Sequence, residues 1–143
     1  MSALFDSGRQ AFLEGSIAWL TDTIRIMLID QATYNPDPAV DDFFGDITAG
    51  ARIGNASGNN RGDMPALGGK SSTNGVADAS DVTFTTVVAG PALASLVIFR
   101  DSGADGTSQL IAKIDSGTGL PVTPNGGDIT VAFDNGANRI FRL

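Results

Sequence analysis

The sequence predicts an all-β fold, a jelly-roll-like antiparallel β-sandwich with one or two short helices. Short apolar runs alternate with turn-forming stretches, and 18 of the 143 residues are glycine. Strands at short spacing with turn residues between them are typical of sandwiches and jelly rolls. The length is that of one ordinary domain, so we expect residues 1–143 to fold around a single core.

A short helix is expected near the start of the chain. Ser7 and Gln10 have the spacing of a capping box, in which both side chains satisfy free N–H groups of the first turn. The helix should cover Gln10–Glu14 and end at Gly15, which can adopt a left-handed conformation. The apolar residues expected to anchor this part of the chain are Phe12, Leu13 and the extended segment Ile17–Trp19.

The apolar segments in the middle of the chain predict the central strands. Thr23–Ile29 is apolar on both faces except at its start, and the run Ala92–Phe99 is nearly continuous. Continuous apolar runs are typical of strands covered on both faces. Further strands are expected at Val82–Val88 and Leu110–Asp115.

The last residues predict a β-hairpin. Ile129, Val131 and Phe133 alternate with more polar residues, as in a half-buried strand. The turn Asp134–Asn138 contains an Asn-Gly pair that accepts positive φ, and the apolar alternation resumes at Phe141. A second glycine-rich turn, over residues 116–127, leads into this hairpin.

Between the first strand and the glycine-rich centre, Asp37 and Pro38 suit the N-cap and first position of a helix over Ala39–Phe44. Asp41 and Asp42 are adjacent, so on a helix they diverge and are expected to be solvated charges, not a catalytic pair. The residues expected to cover the sheet from this segment are Val40, Phe43, Phe44 and Ile47.

The segment Gly54–Gly75 has few apolar anchors. Loops longer than about 12–15 residues inside compact domains are usually functional or disordered. An assembly arm is a third interpretation.

Composition argues against several classes of function. With no His and no Cys, the chain lacks the commonest general base, the commonest metal ligand and any disulfide. The formal net charge is -7 and the nine basic residues are scattered, which disfavours nucleic-acid binding. We therefore expect no enzyme, cofactor, metal or nucleic-acid partner. No apolar run reaches membrane-spanning length and no signal peptide is visible, so we expect no membrane and no export.

Four short motifs have two interpretations each. The Asp101–Asp105 loop is either an ordinary hairpin loop or an oxygen-ligated cation site. Arg61-Gly-Asp63 spells an adhesion tripeptide, but an Arg61 that pairs with a neighbouring subunit is favoured. Gly68–Ser72 superficially resembles a phosphate loop. It lacks the first glycine of that motif and the flanking strand and helix, so nucleotide binding is disfavoured. Trp19 and Tyr34 are single, too few for a stacking platform, and the eight Phe are expected in the core.

The order of several segments is similar to that of a family of small virion proteins in tailed bacteriophages. The similarity covers nearly the whole chain, while Asn55–Lys70 is longer and richer in glycine than the family pattern. The segments that carry it are Leu4–Gly15, Ile17–Trp19, Thr21–Asp30, Phe43–Ile47 and Leu120–Val131.

The resemblance implies a decoration or cement protein of the capsid, with a jelly-roll-like fold and no catalytic residues. Such a protein would be made in the host bacterial cytoplasm, assemble as a closed homo-oligomer, expected to be a trimer, and bind the major capsid protein on the virion surface. The alternative is a receptor- or glycan-binding module of a tail or head fibre, acting through Trp19 or Tyr34. The candidate partner-contact residues are Phe5, Phe12, Leu13, Trp19, Arg61, Met64, Leu67 and Lys70.

Overall fold

The computed structural model describes residues 2–115, 120–137 and 139–143. It is 30% strand and 15% helix with antiparallel sheets, which confirms the all-β class. Its elements in the described ranges are β1 (Ser2–Leu4), α1 (Asp6–Leu13), β2 (Ile24–Ile29), β3 (Arg52–Ile53), β4 (Ser71–Thr73), β5 (Val76–Asp78), β6 (Val82–Phe84), β7 (Ser95–Arg100), β8 (Leu110–Ile114), β9 (Ile129–Val131) and β10 (Phe141–Arg142).

These strands form three sheets in the described part of the chain. The largest has the order β1-β8-β7-β2-β3, the second β10-β5-β4, and the third pairs β6 with β9. The jelly-roll detail is not confirmed, because a jelly roll has eight strands in two sheets. The predicted turn over residues 116–127 lies partly outside the described residues, which omit 116–119.

The large sheet is covered on both faces, as its central strands predict. On β2, Ile26 and Leu28 face a cluster shared with the two small sheets, whereas Met27 and Ile29 face a second cluster. On β7, neighbouring side chains divide between the same two clusters. Since side chains alternate along a strand, an apolar run without polar gaps is what a sheet covered on both faces requires.

The second cluster is closed by the segment between β2 and β3. Phe44 and Ile47 are fully buried there, but the expected helix over Ala39–Phe44 does not form. A single turn after Asp37 and a 3₁₀ helix at Phe44–Asp46 take its place. Val40 is 70% exposed, so its predicted role in covering the sheet is wrong.

The predicted C-terminal hairpin is also wrong. β9 pairs with β6, and β10 pairs with β5 in another sheet. Ile129, Val131 and Phe133 are buried as their alternation indicates, so the pattern gave the correct face and the wrong partner. Asn138, part of the predicted turn, lies outside the described residues.

The helix α1 begins earlier than the capping box indicates. Its N-cap is Phe5 without a side-chain cap, and Ser7 Oγ donates to the carbonyl of Asp42 instead. Gly15 has φ of 74° just after the helix, as expected of a glycine that ends one. Ile17–Trp19 forms no strand, although Ile17 and Trp19 are buried.

We expect Gly8→Ala to destabilise the protein, although Gly→Ala within a helix normally stabilises it by about 0.5–1 kcal/mol. A Cβ at Gly8 would lie 2.6 Å from the carbonyl oxygen of Leu110 and 3.0 Å from Cα of Ile111. Because both are backbone atoms of β8, α1 would have to move. Urea unfolding should show a loss of about 1–3 kcal/mol.

The matched control is Gly62→Ala, where a Cβ meets nothing within 4 Å. This variant should unfold within about 0.5 kcal/mol of the original protein. Equal unfolding free energies for the two variants would contradict the close packing of α1 on β8.

Candidate functional site

Four of the eight predicted contact residues lie in the protein's own core. Phe5, Trp19, Met64 and Leu67 are exposed by only 0%, 6%, 1% and 6%. Their side chains pack against other parts of the same chain and do not lie on its surface. Phe12 is half-buried at the edge of the same core, and Leu13, expected to anchor the helix, is exposed instead.

The glycine-rich segment is anchored along β2 and is not a free arm. The N–H of Ile26 donates to the carbonyl of Pro65, and the N–H of Leu67 donates to that of Ile24. Arg25 Nη1 donates to the carbonyl of Met64 at 2.8 Å. Backbone pairing of this kind leaves no apolar periodicity, which is why the sequence did not indicate it.

Arg61 is the centre of a cluster of charges within this chain. Its guanidinium contacts Asp101 at 2.6 Å and Asp105 at 2.7 Å. Arg25 holds the other oxygen of Asp101 at 2.7 Å, and Arg52 lies 3.9 Å from Asp105. We call Arg25, Arg52, Arg61, Asp101 and Asp105 the arginine–aspartate cluster. It fastens the glycine-rich segment to the loop after β7.

The cluster shifts the pKa values of two of its arginines. The hydrogen bonds to Asp105 and Asp101 raise the pKa of Arg61. Burial lowers the pKa of Arg52, and the charge of Asp105 opposes that effect. The guanidinium of Arg52 also lies 4.3 Å above the ring of Phe44, a cation–π contact that partly compensates for lost water.

The structure bears on the two interpretations of the Asp101–Asp105 loop. Both carboxylates are engaged by arginines, and Asp101 also accepts from the N–H of Gly103 at 2.9 Å. Within the described ranges no group of three or more acidic, His or Cys side chains is arranged to hold a metal ion. The arrangement is that of a loop closed by arginine.

The prediction that Asp41 is a solvated charge is wrong. It is 4% exposed, not a solvated helix charge, and its carboxylate accepts from the hydroxyl of Tyr34 and the N–H of Asp37, each at 2.7 Å. The hydrogen bond to Asp41, with burial, raises the pKa of Tyr34 to about 12. Asp42 is exposed as expected. Asp41 therefore holds the turn that closes the second cluster.

Lys70 and the phosphate-loop-like stretch also serve the fold. Lys70 Nζ donates to the carbonyl of Asp22, and burial lowers the pKa of Lys70 while the charge of Asp22 opposes this. Ser71–Thr73 is strand β4 and is not followed by a helix, unlike a phosphate loop.

One corner of the molecule carries exposed apolar side chains around buried aromatics. Phe141 lies 5.8 Å from Phe12 and 5.2 Å from Trp19, measured between ring centroids. Each of these three aromatic residues is followed, one or two residues along the chain, by an exposed leucine. The exposed fractions of the three leucines are 89%, 54% and 61%. We call them the leucine corner: Leu13, Leu20 and Leu143.

Strand β4 adjoins this corner and is the outer strand of its sheet. Its three residues are exposed, and Trp19 Nε1 donates to the carbonyl of Ser71 at 3.0 Å. The two-residue turn makes Thr73 and Val76 a hydrogen-bonded pair, so the N–H and C=O of Ser72 point away from β5. Across the described ranges, no hydrogen bond to that outer side is formed.

The face of the β10-β5-β4 sheet that points away from the core forms one wall of a polar groove of about 490 Å³. Its second wall is formed by Asn135, Gly136, Ala137 and Arg139. The sequence does not reveal this groove, because its two walls come from separate parts of the chain. The lining residues that matter below are Ser71, Thr73, Asp78, Asn135, Arg139 and Arg142.

Comparison of the chain with models of protein families and with curated proteins finds no match. None of the helices in the described ranges has the length and hydrophobicity needed to cross a lipid bilayer.

Proposed function

We propose that the protein is a non-enzymatic structural protein of a tailed-phage virion. It is made in the cytoplasm of the host bacterium and binds the outer surface of the head as a decoration or cement protein. There it stabilises contacts between subunits of the major capsid protein. The resemblance of its segments to small virion proteins supports this proposal, and the leucine corner beside the open edge of β4 is the observation that carries it.

The corner offers two kinds of contact that suit a protein partner. Burying each exposed leucine stabilises a complex by about 1.5–3 kcal/mol before the costs of association. The free backbone groups of Ser72 can pair with a strand of the partner, as in β-strand addition. Together they give a contact that is apolar at its centre and directional at its edge.

A closed oligomer, a trimer in this proposal, would present several such corners to the capsid at once. Linked contacts raise avidity by about 10²–10⁴ over one contact. A protein that holds several shell subunits in this way resists their separation without any chemical step.

The test uses particles assembled from a phage genome that lacks this reading frame, to which purified protein is added. The double variant Leu13→Ser, Leu20→Ser should lose at least about tenfold in affinity for these particles, since two apolar contacts are removed. Co-sedimentation measures binding, and heating the particles measures the stabilisation.

The matched control is Val88→Ser, which changes an apolar residue that is 61% exposed and lies outside the corner. It should bind like the original protein. Failure of the original protein to bind the particles would overturn the proposed function, and equal binding by the double variant would overturn the assignment to the corner.

The alternative, a glycan-binding module, loses its expected aromatic sites. Trp19 is buried, and the hydroxyl of Tyr34 is held by Asp41. A glycan site on this protein would have to use other residues.

A further inference from the structure

The polar groove is built on the outer face of the three-stranded sheet. In antiparallel pairs, directly opposite residues share a face, so Thr73, Val76 and Arg142 lie on one side of the sheet. Ala77 and Phe141 lie on the other side and are buried in the core. The fold therefore fixes which side chains reach the groove.

Arg142 is distinctive among the seven arginines. Each of the other six has a carboxylate oxygen within 4.0 Å. In the part of the chain that the structure describes, Arg142 has neither an ion pair nor a hydrogen bond and is exposed. In a protein of net charge -7, an unpaired guanidinium on a groove wall is a free anion-binding group.

The rest of the lining suits a ligand rich in hydroxyl groups. Ser71 and Thr73 can donate and accept, and Asp78 is an acceptor beside Arg139, which lies 3.7 Å away. Arg139 also donates to Asn135 Oδ1 at 2.9 Å. A phosphate ion carries little donor capacity for Asp78 and is repelled by it, whereas sugar hydroxyls bond to donors and acceptors alike.

We propose that this groove binds an acidic saccharide, with Arg142 holding the carboxylate of the sugar. Ser71, Thr73 and the Asp78–Arg139 pair bind its hydroxyl groups, and Val76 contacts the apolar face of the ring. The groove volume of about 490 Å³ lies within the range of about 300–1,000 Å³ typical of small-ligand sites. This proposal does not rest on the capsid role.

The test titrates the protein with an oligosaccharide of glucuronic acid, with a neutral glucose oligosaccharide of equal length, with a glutamate-containing tripeptide and with inorganic phosphate. Calorimetry gives affinities, and NMR shifts locate the site. We expect the uronic oligosaccharide alone to bind, with shifts at Thr73 and Arg142. Arg142→Gln and Thr73→Val should each weaken binding, the first by about tenfold or more, because a charge-assisted pair is lost.

The control is Arg9→Gln, which removes the same charge from the exposed surface of α1. It should leave binding unchanged, and thermal unfolding checks that all variants are folded. Equal binding of the neutral sugar, the peptide or phosphate would overturn the saccharide assignment. An absence of shifts in the groove with the uronic oligosaccharide would overturn the site itself.

Discussion

Asp101→Ala is expected to lower the free energy of unfolding by about 3 kcal/mol, because it leaves the partly buried Arg25 without a carboxylate and Arg61 with Asp105 alone. The side chain of Asp101 is 12% exposed, and those of Arg25 and Arg61 are 24% and 22% exposed. Removing the carboxylate leaves two guanidinium groups facing each other. Urea unfolding measures the loss, and hydrogen exchange at Met64 and Leu67 should show that the glycine-rich segment opens first.

The control for this prediction is Asp6→Ala, which breaks the ion pair between Asp6 and Arg9. The side chain of Asp6 is 64% exposed and that of Arg9 is 53% exposed. An exposed pair of this kind contributes at most about 1 kcal/mol. If both substitutions cost the same, the arginine–aspartate cluster does not hold the segment.

Acid should act on the same carboxylate. Burial raises the pKa of Asp101. The hydrogen bond from the N–H of Gly103 and those from Arg25 and Arg61 lower it by more, so the pKa of Asp101 lies below its usual value. The stabilisation is therefore complete above the ordinary Asp pKa of about 3.9 and is lost as the pH falls through the lower folded-state value. The difference in unfolding free energy between the original protein and Asp101→Asn should shrink over this range, and a constant difference would contradict it.

Phe99→Ala is expected to cost about 3–5 kcal/mol, because it leaves a cavity in the second cluster. Phe99 is fully buried, and its ring lies 4.9 Å from that of Phe44. Since Phe44 also carries the cation–π contact with Arg52, the loss should extend to the arginine–aspartate cluster. Such a cost is a large part of the about 5–15 kcal/mol by which domains are stable. Denaturant unfolding and near-UV circular dichroism measure it.

Phe43→Ala is the matched control, because Phe43 is the same residue type and only half-buried. It should cost less than half as much as Phe99→Ala. A cost below about 1 kcal/mol for Phe99→Ala would show that the second cluster is not the packed core described above.

The central strands could be predicted from the sequence because their burial is written in their composition. Thr23–Ile29, Ala92–Phe99 and Leu110–Asp115 match β2, β7 and β8 to within a few residues. An uninterrupted apolar run has no stable place except between two covering layers.

Strand pairing could not be predicted, because an Asn-Gly pair indicates a turn but does not show whether the strands on its two sides pair with each other. Asn135–Gly136 lies between strands of different sheets, whereas Asn74 and Gly75, with φ of 56° and 76°, form the tight turn between β4 and β5. The strands on either side of Asn74 and Gly75 are short, and β4 is polar, so no alternation of apolar residues predicted a hairpin there. Long-range pairing selected the partner instead.

The candidate sites were hidden for a related reason. Arg61 and Asp101 are held together by the fold and not by spacing along the chain. The leucine corner exists because the rings of Phe12 and Phe141 meet, and the groove brings Thr73 together with Arg142. A sequence shows which residues have suitable chemistry, and only the topology shows which of them meet.

The pairing of β1 with β8 has a consequence for synthesis. Ser2 pairs with Ile114, so β1 waits unpaired until β8, which follows the other strands of the large sheet along the chain, has been made. β5 likewise waits for β10 before its sheet is closed. Chains dominated by such distant pairings fold slowly, and their exposed strands are open to aggregation meanwhile.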